Sequence, residues 1–144
     1  MIDFSDQYKI MCEKAKKIFD HYFDPGDYFI HEFLGIQEVD INRGDGFMYC
    51  TEPEYSTFNI DTTECVWLPT VEQLMELAES YNLKSETLKI FLHDDKGYYG
   101  YPTGIKPESI FRTPEEQWIV FYLREINKLI WINQEWKKLE NDSE

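Results

Sequence analysis

Positive charge is scarce through the middle of this chain. Fourteen Lys+Arg stand against 28 Asp+Glu in 144 residues, a formal net charge of -14. The deficit is local. Residues 1–20 balance four bases with four acids, and residues 84–144 hold nine bases and eleven acids. Residues 21–83 hold thirteen acids and one base, Arg43. Such a field repels nucleic acid and anionic membrane, and attracts basic proteins or cations. Cysteine is also sparse. Cys12, Cys50 and Cys65 are odd in number and no Cys-x-x-Cys occurs, so neither a disulfide framework nor a zinc site is indicated. Free buried thiols in a reducing compartment, the cytoplasm, are expected. No apolar run approaches the ~18 residues of a membrane span. The opening Met1-Ile2-Asp3-Phe4-Ser5-Asp6 lacks the basic and apolar parts of a secretion leader.

Aromatic side chains are plentiful, at 17% of the chain within an apolar fraction of 42%. Disordered acidic chains are poor in both. A single α+β domain over residues 1–140 is expected, with 141–144 a frayed tail. Ser5 caps a first helix whose stripe is Tyr8, Met11, Ala15, Ile18, Phe19 and Tyr22, ended by Asp24-Pro25-Gly26. Residues 28–66 read as a meander of strands broken by Gly35, by Asn42-Arg43-Gly44-Asp45-Gly46 and by Pro53. Thr70 with Gln73, and Thr113-Pro114 with Glu116, are capping boxes that open two later helices. Leu88, Ile90 and Leu92 alternate as in a strand, with a helical start at Ser85-Glu86 as the rival. Tyr98, Tyr99 and Tyr101 return from a turn. The last helix ends near Lys128 or runs on to Trp136. The sum is one antiparallel sheet of about five strands, with the N-terminal helix and the two capped helices packed on it.

The carboxylates are the main candidates for function. Glu38 and Asp40 are two residues apart, as are Glu52 and Glu54. On a strand such pairs share a face at a spacing of about 6.7 Å. Two neighbouring strands so decorated form an anionic lattice, and nucleic acid presents one too. With Asp61 and Glu64 these residues are the expected contact surface for a basic protein; the sharper form of that reading is a nucleic-acid mimic. The plain alternative is an acidic face kept for solubility.

Metal binding is weaker. Asp40-Ile41-Asn42-Arg43-Gly44-Asp45-Gly46 misses a calcium loop by one position, and the residue at 51 is Thr where Glu is needed. His31 and His93 lack a second His at helical spacing. No metal, cofactor or catalytic residue is assigned. A Cys50 or Cys65 nucleophile requires the fold to bring it to His31 or His93. Neither a Gly-x-Ser-x-Gly nor a phosphate-cradling Gly-rich loop occurs.

Two segments carry a resemblance. Trp67-Leu68-Pro69-Thr70-Val71-Glu72-Gln73-Leu74-Met75-Glu76-Leu77 is one, and Thr113-Pro114-Glu115-Glu116-Gln117-Trp118 running on to Trp131 and Trp136 is the other. Their order and spacing resemble small proteins of bacterial phages, prophages and mobile elements. The resemblance implies a bacterial or phage cytoplasmic setting and supplies no activity. The expectation is a non-enzymatic acidic protein that binds another macromolecule. A metal-assisted hydrolase with clustered carboxylates is one alternative. The other is an assembly protein that oligomerises through its aromatic C-terminal helix.

Overall fold

A computed structural model describes residues 3–19, 21, 23–31, 35–39, 41–42, 47–51, 57–94, 101 and 104–139; for the strands within 41–60 it describes the backbone alone. The chain packs as two compact units, Cys12–Pro69 and Met1–Met11 with Thr70–Glu144. Helix α1 (Asp6–Lys14) supplies residues to both. Its start follows the sequence: the Tyr8 N–H donates to the Ser5 hydroxyl at 3.1 Å. Its end does not. The expected helix runs on to Asp24, but regular winding stops at Lys14. Tighter bonds follow, from Ala15 N to Cys12 O and from Ile18 N to Ala15 O.

In the unit Cys12–Pro69, β1 (Tyr28–His31) lies between β2 (Gly35–Glu38) and β6 (Cys65–Leu68), antiparallel to each. Between β2 and β6 the chain forms a second antiparallel sheet of β3 (Ile41–Asn42), β4 (Phe47–Thr51) and β5 (Thr57–Asp61), in the order β3-β4-β5. A single 3-10 turn, Thr62–Glu64, leads into β6, and the Asp61 carboxylate caps it by accepting the Thr63 N–H at 2.9 Å. Among the described residues the strands thus form small separate sheets, and the expected single five-stranded sheet is absent. The β6 strand was unforeseen; its apolar run reads from sequence as the lead-in to a helix.

In the other unit, α2 (Val71–Ser80) has both halves of its capping box, from Gln73 N to Thr70 Oγ1 at 3.2 Å and from Thr70 N to Gln73 Oε1 at 2.9 Å. It ends on Asn82 at φ 63°. There Asn82 N bonds Glu79 O and Leu83 N bonds Ala78 O, each at 2.9 Å, which is the Schellman closure. Residues 85–92 form helix α3 (Ser85–Leu92), the rival reading that starts at Ser85-Glu86, and not the strand favoured by the alternation. Leu88, Phe91 and Leu92 are buried at helical spacing while Ile90 is 73% exposed. The alternating leucines and isoleucine thus do not share a face. A short helix α4 (Pro107–Ile110) precedes α5 (Pro114–Asn127).

Helix α5 is the core of this unit. Ile119, Val120, Phe121 and Leu123 are fully buried, and α2, α3 and the following strand pack on it. Each such side chain contributes about 1.5–3 kcal/mol when buried. Lys128 closes α5 in the left-handed region at φ 57°. The chain then turns back as a hairpin of β7 (Leu129–Ile132) and β8 (Glu135–Lys138), which excludes a helix running on to Trp136. The hairpin turn is Asn133-Gln134, with both residues at positive φ, as a type I′ turn requires.

Glu116 departs from its expected role. Thr113 Oγ1 accepts the Glu116 N–H at 3.2 Å as foreseen. The Glu116 carboxylate does not complete the box. It is buried, 3% exposed, and accepts the Ser5 hydroxyl, Gln7 Nε2 at 2.7 Å and Arg112 N at 3.2 Å. It joins the start of α1 to the start of α5.

Candidate functional site

Opposed residues in an antiparallel ladder share a face. Phe29 is opposite both Gln37 and Trp67, and His31 is opposite both Gly35 and Cys65. One face of β2-β1-β6 therefore carries Phe29, His31, Cys65 and Trp67. The ladder extends to Asp27 through Val39 N to Asp27 O at 2.8 Å and Gly26 N to Val39 O at 2.7 Å. By alternation Asp27 joins the same face.

Asp27 is fixed by the turn before it. Asp27 N bonds Asp24 O at 3.0 Å across Pro25-Gly26, with Gly26 at φ 93°. Proline then glycine at positive φ is the type II arrangement. The buried Asp27 Oδ2 accepts Asp24 N at 2.8 Å and lies 2.8 Å from His21 Nε2. That nitrogen carries the proton it donates to the carboxylate.

The segment after α1 lies on this face. Phe19 meets the Trp67 ring edge-on at 5.6 Å, His21 stacks flat on it at 3.6 Å and 8°, and Phe23 meets Phe29 edge-on at 6.0 Å. These rings wall a cavity of about 110 Å³. Its other lining residues are Cys12, Lys16, Thr62 and Cys65. No Asp or Glu is among its described lining residues. Both cysteines are buried. The indole N–H of Trp67, a residue 8% exposed, is the one buried side-chain nitrogen or oxygen among the described residues that has no hydrogen-bond partner. Leaving such a donor unpaired costs about 1–3 kcal/mol.

The sequence-derived acidic residues fall as follows. Glu38 is exposed at the end of β2, opposite Tyr28 and on the face away from the cavity. Glu64 is exposed beside the other end of the sheet, with Oε2 3.9 Å from His31 Nε2. Asp61 is occupied as a cap. The Thr63 backbone and hydroxyl bonds hold its carboxyl below the ordinary range, and Lys16 reinforces them. Lys16 Nζ itself donates to Thr63 O at 2.5 Å. Asp40, Glu52 and Glu54 lie outside the described residues, as do Tyr98, Tyr99 and the tail 141–144.

The fold does bring Cys65 opposite His31, one of the pairings the sequence left open. The Cys65 thiol is directed at the Asp61 carbonyl at 3.5 Å. His93 is exposed, with Nδ1 3.3 Å from Glu108 Oε1. Among the described residues no three His, Cys, Asp or Glu side chains converge to hold a metal. No described helix is long and apolar enough to cross a membrane. Trp131 is buried, and Trp136 donates its N–H to Met11 O at 3.0 Å. Sequence reasoning missed His21, Asp27 and the role of Trp67. The alternation Phe19-x-His21-x-Phe23 was the available signal, hidden inside a stripe read as helical. Comparison of the chain with protein-family models, curated proteins and solved structures finds no match.

Proposed function

We propose that this is a non-enzymatic acidic protein that binds a basic macromolecule, in a cytoplasmic setting of bacterial mobile-element type. One observation carries the reading: thirteen acids against one base over residues 21–83. The exposed positions of Glu38 and Glu64 support it, since an exposed carboxylate is available to a partner's lysines and arginines. Asp61 contributes less, because its carboxylate is committed to Thr63. The nucleic-acid-mimic form adds that the partner's own ligand is DNA or RNA.

The test is capture from bacterial lysate at low salt, followed by release as salt rises to about 0.5 M, where the screening length is only a few ångströms. Basic proteins that elute with salt support the reading. Replacing Glu38 and Glu64 together with lysine should lower the yield. A bait that retains no basic protein, or one whose capture ignores salt, removes it.

A thiol-dependent enzyme is the second reading, favoured by Cys65 facing His31 across the ladder. The bond from its Sγ to a carbonyl opposes it, because that bond needs the proton to stay on sulfur. Alkylation of Cys65 by iodoacetamide at pH 7 no faster than that of a denatured-state thiol would end that reading.

A further inference from the structure

We infer that the groove between α2 and α3 is a docking site for a basic amphipathic helix of another protein. This goes beyond the acidic-surface reading, because the groove lies in the unit Met1–Met11 with Thr70–Glu144, apart from Glu38 and Glu64. Among the described residues the large apolar side chains that stand exposed are Met75, Tyr81 and Ile90. All of them fall on α2, its C-terminal turn and α3. A cavity of about 230 Å³ opens beside them, with Met75, Leu83 and Trp118 as its apolar lining. Trp118 comes from α5 and is only 7% exposed, so the cavity has a packed floor. Glu79 and Glu86 line it as well, and both are exposed. An apolar centre within a charged margin is the anatomy of a protein interface.

Charge selects the occupant. On α2, Glu72, Met75, Glu76 and Glu79 recur at steps of three and four, so they share one stripe. All four are exposed, and α2 carries no base. Lys84 and Lys89 belong to the cap and body of α3, which leaves α2 as the negative wall. A helix laid along that wall, with Lys or Arg at the same steps, sets a cation against each carboxylate. Its apolar stripe then meets Met75, whose flexible thioether adapts to the guest. The cavity equals roughly eight water molecules in volume, which is room for one leucine or phenylalanine side chain as the anchor. A second copy of this chain is the wrong guest. A two-fold contact through the same stripe would set its glutamates against one another.

The probe is an amidated leucine–lysine peptide of about 16 residues, long enough to wind on contact, with its leucines at the helical period. NMR of the full ¹⁵N-labelled chain locates the peptide, and fluorescence anisotropy of a tagged copy gives the affinity. The amides of Met75, Glu79 and Ser85 should shift together and saturably. A peptide of the same composition with leucine and lysine strictly alternating should bind about tenfold more weakly, and so should oligolysine. Glu76→Lys with Glu79→Lys should weaken the helical peptide about tenfold or more. Met75→Gln should weaken it about tenfold, the size of one buried apolar side chain. These three positions are exposed and tolerate exchange. Part of the affinity should survive at about 0.5 M salt, where charge is screened and the anchor is not. Full release at that salt would mean charge alone and overturns the inference. So would oligolysine or the alternating peptide binding equally well, Met75→Gln binding as the parent does, or the chain pairing with itself through α2. Shifts confined to β2 and Thr62–Glu64 would overturn it too, while leaving the acidic-surface reading intact.

Discussion

The buried Glu116 ties the start of α1 to the start of α5, and its loss should be felt. Three donors converge on it, from Ser5, Gln7 and Arg112. Glu116→Ala would remove the buried acceptor that all three share. Urea denaturation should show a loss of about 2–4 kcal/mol, and an unchanged midpoint would mean that the bonds are replaced by water. Two other residues set pH responses of opposite sign. Thr63 holds the Asp61 carboxyl below the ordinary aspartate value of 3.8. A lowered folded value means stability present above that ordinary value and lost as pH falls through the lowered one. Thr63→Val keeps the backbone donor and removes the hydroxyl, so carbon-detected titration should find the Asp61 midpoint moved part of the way back. Tyr122 is shifted upward, first by burial and then by neighbouring Tyr81. Its contribution is complete below 10.0, the ordinary tyrosine value, and fades as pH climbs through the raised one. Tyr122→Phe should therefore flatten the alkaline limb of a melting-temperature profile.

At the scale of elements, the caps that were readable from sequence are the ones to test. Thr70→Ala should cost about 1 kcal/mol through α2. The hairpin turn offers a gain, because Gln134 holds φ 62° without being glycine. Gln134→Gly makes the Asn-Gly pair that type I′ turns prefer, and should stabilise by about 0.5 kcal/mol in chemical denaturation. A loss on that substitution would show that the Gln134 side chain is needed. These elements also mark how far the sequence can be read. The starts of α1, α2 and α5 were legible because an N-cap is a bond between residues three apart. Helix α3 was misread because Leu88, Ile90 and Leu92 mimic a period of two; the phenylalanine at 91 carries the true helical face. The pairing of β6 with β1 joins Cys65 to His31, and no local pattern encodes a partner so far along the chain. The cavity went unseen for the same reason, since His21 gains its meaning only when Trp67 arrives beneath it. The acidity was legible as charge; Glu38 and Glu64 stand exposed and Asp61 serves as a cap.

The whole molecule carries -14, and that repulsion acts on both compact units. Raising inert salt from about 10 to 200 mM shortens the screening length from ~30 Å to under 10 Å. The melting temperature should rise across that interval, and a fall would mean that ion pairs outweigh like-charge repulsion. Order of synthesis adds a constraint of another kind. Strand β1 has its first neighbour at hand as soon as Glu38 is made, but its second ends at Leu68. During translation the edge of β1 that will pair with β6 keeps its backbone groups unpaired while the intervening sheet is laid down. A ribosome stalled before Trp67 would display a sticky, half-finished ribbon, so chaperone engagement should peak in that window and subside once the closing tryptophan has emerged.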